Sequence, residues 1–173
     1  MPLNNIDISQ VKQYEADIKA NDEAAKFTTK MEGTWLFDEQ GPQFTAAART
    51  SDKPFVMTLS HPNFNGPGIS PSPMSFGLFW IAGCASTTLM TAAEKKGIKV
   101  DALTTSIEAD LDYHAQFKLG DQPLVGEYRI NFSIKTSASD EEIEQLTNDT
   151  LAGCMAMYTV KTAVPLKISY TRT

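Results

Sequence analysis

The sequence predicts a single α+β domain, on three observations. Short alternating runs fill 28–60, a long apolar stretch follows from Pro73 to Lys96, and alternating runs return at 100–112 and 125–136 before a helical stripe. Strands grouped in blocks, with helices between the blocks and no regular strand–helix alternation, favour α+β over a doubly wound parallel sheet. A chain of 173 residues can build one core and is too short to expect two.

The elements follow in order. Residues 4–26 read as a surface helix, with Ile6, Ile8, Val11, Tyr14 and Ile18 roughly on one face. Three antiparallel strands come next, in TTKMEGTWLF, QFTAAART and PFVMTLS, separated by Glu39-Gln40-Gly41-Pro42 and Ser51-Asp52-Lys53-Pro54, both turn chemistry. Residues 61–73 hold four prolines and two glycines and predict an irregular loop. Ser72 and Pro73 suit the cap and first turn of a helix that ends at Gly97. Most of this helix is apolar or small on every face, which predicts burial on all sides.

Residues 100–112 and 125–136 predict an antiparallel pair, with Tyr128, Ile130, Phe132 and Ile134 on one face. Asp101, Glu108, Asp110 and Asp112 read as the solvated side of the first of these strands. Ser139 with Glu142 forms a capping box before a helix whose apolar stripe ends at Cys154. VPLKISYT, at 164–171, predicts a last strand. The domain boundaries are expected at 1–27 for an N-terminal helical extension and 28–173 for the main domain.

Composition narrows the function. The net charge is −6 and no basic block is present, which argues against nucleic acid and against an anionic membrane surface. No run is expected to reach the roughly 18 apolar residues of a spanning helix. The start carries no basic region followed by an apolar core, so a cytoplasmic, reducing location is expected. The two cysteines there are free thiols, a transient redox pair or inert core residues. With two histidines far apart, they make a poor metal site, and no metal or cofactor is expected.

Cys84 stands in mid-helix among small neighbours, Gly83-Cys84-Ala85-Ser86, and Cys154 ends a helical stripe in Ala152-Gly153-Cys154-Met155. Each taken alone is most often a core residue. His61 and His114 have no partner at motif spacing, and no nucleophile elbow, phosphate loop or C-x-x-C occurs.

The order of these features resembles the OsmC/Ohr family (osmotically inducible protein C and organic hydroperoxide resistance proteins). A Pro/Gly-rich loop leads through Ser72-Pro73 into a helix carrying Ala82-Gly83-Cys84 and ending Ala93-Glu94-Lys95-Lys96-Gly97-Ile98. A long β pair follows, then Leu151-Ala152-Gly153-Cys154 and a last run Val164-Pro165-Leu166-Lys167-Ile168.

The resemblance implies a β3-α-β2-α-β order with a buried central helix and an interwoven homodimer. It implies that Cys84 attacks a small apolar hydroperoxide and that Cys154 resolves the product to a disulfide, which a dithiol reductant resets. Met74, Phe79 and Trp80 would then favour a greasy substrate. The family's arginine is expected near Gly41-Pro42-Gln43, where none stands; Arg49 is the nearest candidate. The family's glutamate, ten residues before the first cysteine (84 − 10 = 74), is Met74 here, and its Pro-Val after the second cysteine is Met155-Ala156. The alternative is a relative without peroxidase activity that binds a small apolar ligand at a dimer interface.

Overall fold

The computed structural model describes residues 2–64 and 66–172. Its elements are α1 (Ile8–Ala20), a 3-10 turn (Asp22–Ala25), β1 (Gly33–Trp35), β2 (Phe44–Ala48), β3 (Phe55–Leu59), α2 (Pro73–Lys96), β4 (Val100–Leu111), β5 (Val125–Thr136), α3 (Asp140–Gly153) and α4 (Met155–Lys161). They group into two units, Ser9–Phe79 and Met1–Ile8 with Trp80–Thr173, and the boundary falls inside α2.

In the unit Ser9–Phe79, β1, β2 and β3 form an antiparallel sheet in sequence order. Gly33 pairs with Ala46, and the ring of the neighbouring Phe44 lies over it: a Cβ on Gly33 would come within 2.1 Å of the Phe44 ring. Asp38 closes the first turn, accepting from the Gln40 and Gly41 N–H groups. Thr50 closes the second, accepting from the Lys53 N–H. Gln43 ties the loop after β3, its Oε1 accepting from His61 N–H and its Nε2 donating to the Phe64 carbonyl, both at 2.6 Å. The predicted first helix is shorter than expected. It fills Ile8–Ala20 and buries no residue completely; it stops there as Asn21 accepts from the Glu23 N–H and starts a separate 3-10 turn.

Helix α2 has the limits its caps predict. Ser72 Oγ accepts from Ser75 N–H at 3.1 Å. At the other end Gly97 adopts φ +69°, while Gly97 N–H reaches Glu94 O and Ile98 N–H reaches Ala93 O. That pair of bonds is a Schellman motif, and the left-handed residue it requires is a glycine. Burial differs from the expectation. Only Ile81, Ala85, Leu89 and Ala93 are buried, one stripe at every fourth residue, and Phe79 and Trp80 remain exposed. The spanning-helix expectation also changes. By length and composition α2 could cross a membrane, with a mean hydropathy of 1.4 over its most apolar window. The core helix of a water-exposed domain has the same profile, and the α2 stripe packs on β4, β5, α3 and α4 side chains.

In the unit containing Trp80–Thr173, β4 and β5 form one long antiparallel hairpin with irregular register at both ends. Its inner residues include Ile107, Tyr128, Ile130 and Phe132. Its outer face is charged, as expected for the acidic strand: Arg129 bonds Glu108, Asp110 and Glu127 together. The neighbouring carboxylates hold the Arg129 pKa above its ordinary value. The Ser139–Glu142 capping box starts α3, and Leu146 and Thr150 are its buried residues. Leu146 joins Ala93 and Ile98 in a small second cluster.

Two further features depart from the sequence reading. A short helix, α4, follows Cys154 where none was expected. The predicted last strand is not formed: residues 163–172 adopt no helix or strand, and Leu166, Ile168 and Tyr170 are 83%, 86% and 93% exposed. A strand persists through the ladder it makes with a neighbour, and among the described residues this segment has no ladder partner.

The chain start is pinned more firmly than a terminal extension requires. The Glu94 carboxylate accepts from Leu3 N–H at 3.0 Å and Asn4 N–H at 2.7 Å. The buried Asn4 side chain donates to Ile98 O at 2.8 Å and accepts from Val100 N–H at 2.9 Å. It thus serves both peptide groups of the α2–β4 turn. Replacing Asn4 with Ala leaves those groups unpartnered. Urea unfolding should then show a loss of about 1–3 kcal/mol; an unchanged midpoint would remove the clamp from the stability of this unit.

Candidate functional site

The site grows from two unrelated local events. On α2, Cys84 sits beside the buried stripe, next to fully buried Ala85, and is itself half-buried. On α3, the helix stops at Cys154, whose backbone is extended (φ −84°, ψ 117°). Cys154 N–H still bonds Thr150 O at 3.0 Å, and Cys154 O already accepts from Tyr158 N–H at 2.9 Å. Cys154 is therefore the last cap of α3 and the first of α4, at 1% exposure.

Folding brings the two thiols close enough for Cys154 to act on the Cys84 proton. Both lie in one apolar cluster with Ile81, Ala85, Ala156 and Met157, against which Ile107, Tyr128, Ile130 and Phe132 pack. The backbone N–H groups of Ala156 and Met155 also face the Cys84 sulfur as hydrogen-bond donors.

Burial pushes the Cys84 thiol above its ordinary pKa, and the Cys154 thiol beside it adds to the rise. The Ala156 and Met155 N–H groups act in the opposite direction without cancelling it. Among the described residues of this unit, the groups acting on the sulfur are backbone donors and a second thiol, and none is cationic. An opposite charge within a few ångströms is the usual means of lowering a thiol pKa.

The other predicted residues are dispersed. Arg49 is exposed just beyond β2, in the unit Ser9–Phe79, beside a cavity lined by Phe27 to Glu32 and Ala47–Arg49. Met74, half-buried, and Phe79, 77% exposed, belong to the first turns of α2 in that same unit. Trp80 lies one turn before Cys84 and is 47% exposed. His61 stacks on Phe64 at 4.0 Å, and His114 Nδ1 lies 2.6 Å from Asp112. Among the described residues no cluster of His, Cys, Asp and Glu converges to hold a metal.

Sequence reasoning missed two contributors. The Met155 and Ala156 amides carry no side-chain signal, although a residue other than proline at 155 is what leaves an N–H there. The second is an open groove of about 740 Å³ along β5, lined by Tyr128, Ile130, Phe132, Ile143, Leu151 and Met157 among others. The strand residues were legible as an inward face, but not as the wall of a cavity. Tyr128, Ile130, Phe132 and Met157 are shared between the groove and the cysteine cluster.

The raised Cys84 pKa has a signed consequence. A thiol is neutral when protonated, so the folded chain holds this proton more tightly than the unfolded chain. From about pH 8.5, where an ordinary thiol ionises, folded-state stability falls with rising pH until Cys84 itself ionises. Urea midpoints should therefore decline more steeply above that pH in the wild type than in Cys84→Ala. Iodoacetamide labelling of Cys84 should show a midpoint above that of a model thiol. Identical slopes, or a midpoint below the model thiol, contradict the assignment.

Comparison with known proteins bears on the same segment. The family model for OsmC-like proteins matches residues 66–169. Among curated proteins no relative matches the sequence. An OsmC-like protein from Mycoplasma pneumoniae has a similar solved structure, at 17% identity and a TM-score of 0.58, covering 78% of this chain and 89% of its own. An organic hydroperoxide resistance protein OsmC from Legionella pneumophila is similar at 14% identity and a TM-score of 0.56, covering 79% and 92%. An OsmC-like protein of unknown function from Vibrio cholerae is similar at 11% identity and a TM-score of 0.55, covering 79% and 96%. At such identities the structures speak for the fold alone, whereas the matched segment is more than half of the sequence and contains both cysteines, α2 and the long hairpin: the chain belongs to the OsmC-like protein family.

Proposed function

We propose that this chain reduces organic hydroperoxides with the Cys84–Cys154 pair. The observation that carries the reading is the contact itself: two thiols 154 − 84 = 70 residues apart meet inside one apolar cluster. The Legionella pneumophila protein, similar in fold, is described as an organic hydroperoxide resistance protein, which supports the substrate class.

The chemistry runs in three balanced steps. The Cys84 thiolate attacks the outer oxygen of ROOH; the O–O bond breaks, the leaving alkoxide takes a proton as ROH, and sulfur becomes a sulfenic acid. The Cys154 sulfur displaces that hydroxyl, forming the disulfide and releasing water. A dithiol reductant then exchanges with the disulfide, returning both thiols and leaving as its own disulfide. Met155 and Ala156 N–H groups support the thiolate in place of a cation, and Tyr128, Ile130 and Phe132 offer an apolar wall to the R group.

The raised Cys84 pKa favours a second reading, an OsmC-like protein without peroxidase turnover that holds a small apolar ligand in the β5 groove. In either reading the working form is a homodimer. Leu166, Ile168 and Tyr170 alternate along an exposed segment, and Phe79 and Trp80 are exposed on α2. Exposed apolar side chains of this kind suit an interface.

Cumene hydroperoxide with dithiothreitol distinguishes the readings. Wild type should consume peroxide at a rate that rises with pH into the alkaline range, and Cys84→Ser should abolish it. Cys154→Ser should stop at a dimedone-reactive sulfenic acid. Turnover that survives Cys84→Ser rules out the enzyme reading, and absence of turnover in wild type leaves the ligand reading. Met155→Pro keeps a residue suited to the first helical position but removes its N–H. It should raise the labelling pKa of Cys84 and slow peroxide consumption at neutral pH by roughly tenfold per pKa unit. Light scattering should report twice the 19.0 kDa chain mass; a monomer at micromolar concentration counts against the dimer.

A further inference from the structure

The groove along β5 is long as well as apolar. Its lining reaches from Val125 to Ile134, 134 − 125 = 9 residue steps of strand at about 3.4 Å each. Its volume of about 740 Å³ falls in the usual range of small-molecule sites. α3 and α4 add Ile143, Leu151 and Met157 to the wall. Ile130 and Phe132 also pack around the cysteine cluster, so an apolar chain lying here runs past the thiols.

The polar side chains of the wall are not equivalent. Thr147 donates its hydroxyl to Glu144 O at 2.8 Å, and Asn131 carries no charge. Glu127 accepts from Arg129 at 2.8 Å, which balances its charge. Lys161, the last residue of α4, is exposed and has no ion-pair partner among the described residues. The groove therefore combines an apolar slot with one unbalanced positive charge, in a chain whose net charge is −6.

We propose that the β5 groove takes a single-tailed amphiphile with an anionic head, its tail along Ile130, Phe132 and Leu151 and its head at Lys161. This rests on the groove as the ligand site and holds for either reading of the thiols. A neutral apolar molecule leaves the Lys161 charge without a counter-ion, and a cationic one meets repulsion. The tail supplies affinity through burial, and the exposed ion pair supplies a preference among heads.

Decanoate, decan-1-ol and decylamine share one tail and differ in head charge. Isothermal titration of each into the wild-type protein should rank decanoate first and decylamine last. Decanoate should exceed decan-1-ol by about two- to fivefold, the scale of an exposed ion pair. That margin should shrink at about 1 M salt. Lys161→Met should bring decanoate to the level of decan-1-ol, with decan-1-ol itself unchanged within about twofold. Lys161→Glu should reverse the order and favour decylamine.

Leu151 is 45% exposed, and Leu151→Asp should weaken neutral decan-1-ol about tenfold, which places the tail in the groove. Circular dichroism checks the fold, and Val160→Asp serves the same purpose if Leu151→Asp does not fold. A wild type that binds no decanoate, equal affinity for decanoate and decylamine, or an unchanged order in Lys161→Glu overturns the proposal. Peroxide turnover without decanoate binding also sinks it and leaves the enzyme reading standing. Decanoate binding without turnover supports it and removes the enzyme reading.

Discussion

The stripe of Ile81, Ala85, Leu89 and Ala93 along α2 is the contact on which the rest of the site depends. Two of its four residues are alanines, which let neighbouring elements come close to the helix axis. Cys154 reaches Cys84 beside Ala85, and Leu146 with Ile98 closes around Ala93. A bulky side chain at Ala85 would separate the sulfurs as well as overpack the cluster. Stability and candidate chemistry therefore share the same atoms.

The termination of α3 matters as much as its length. Had the helix continued through Cys154, the next amides would have been consumed by carbonyls four residues back. The break frees the Met155 and Ala156 N–H groups, and the sulfur of Cys84 takes them up. Such donors favour a thiolate more weakly than a neighbouring cation does, and here burial outweighs them. That balance makes the protonation state of Cys84 the quantity that divides an enzyme from a ligand-binding relative.

Several apolar surfaces of the chain remain open. α2 carries exposed Phe79 and Trp80, the segment after α4 carries alternating apolar residues, and the β5 groove is lined by aliphatic and aromatic side chains. Each is apolar surface that its own unit leaves uncovered. Helix α2, apolar in composition but buried on one stripe only, is the clearest case.

Much of the local structure was legible because local chemistry decides it. Ser72 and Gly97 bound α2, Ser139 with Glu142 starts α3, and alternation marks β4 and β5, since caps, left-handed glycines and period-two patterns act within a few residues. The cysteines were legible as candidates, but their contact was not, because 70 residues of chain carry no information about distance in space. The amide donors of α4 were invisible because every residue but proline has an N–H, and only the fold says which ones lack an acceptor. The last run, VPLKISYT, has a strand's alternation without a strand's conformation, because a pattern is local and a ladder needs a neighbour. The sequence by itself determined the limits of α2, the start of α3 and the pairing pattern of β4 and β5; the tertiary structure alone decided that two sulfurs meet, what faces them and how firmly Cys84 holds its proton, since those depend on packing between segments distant along the chain.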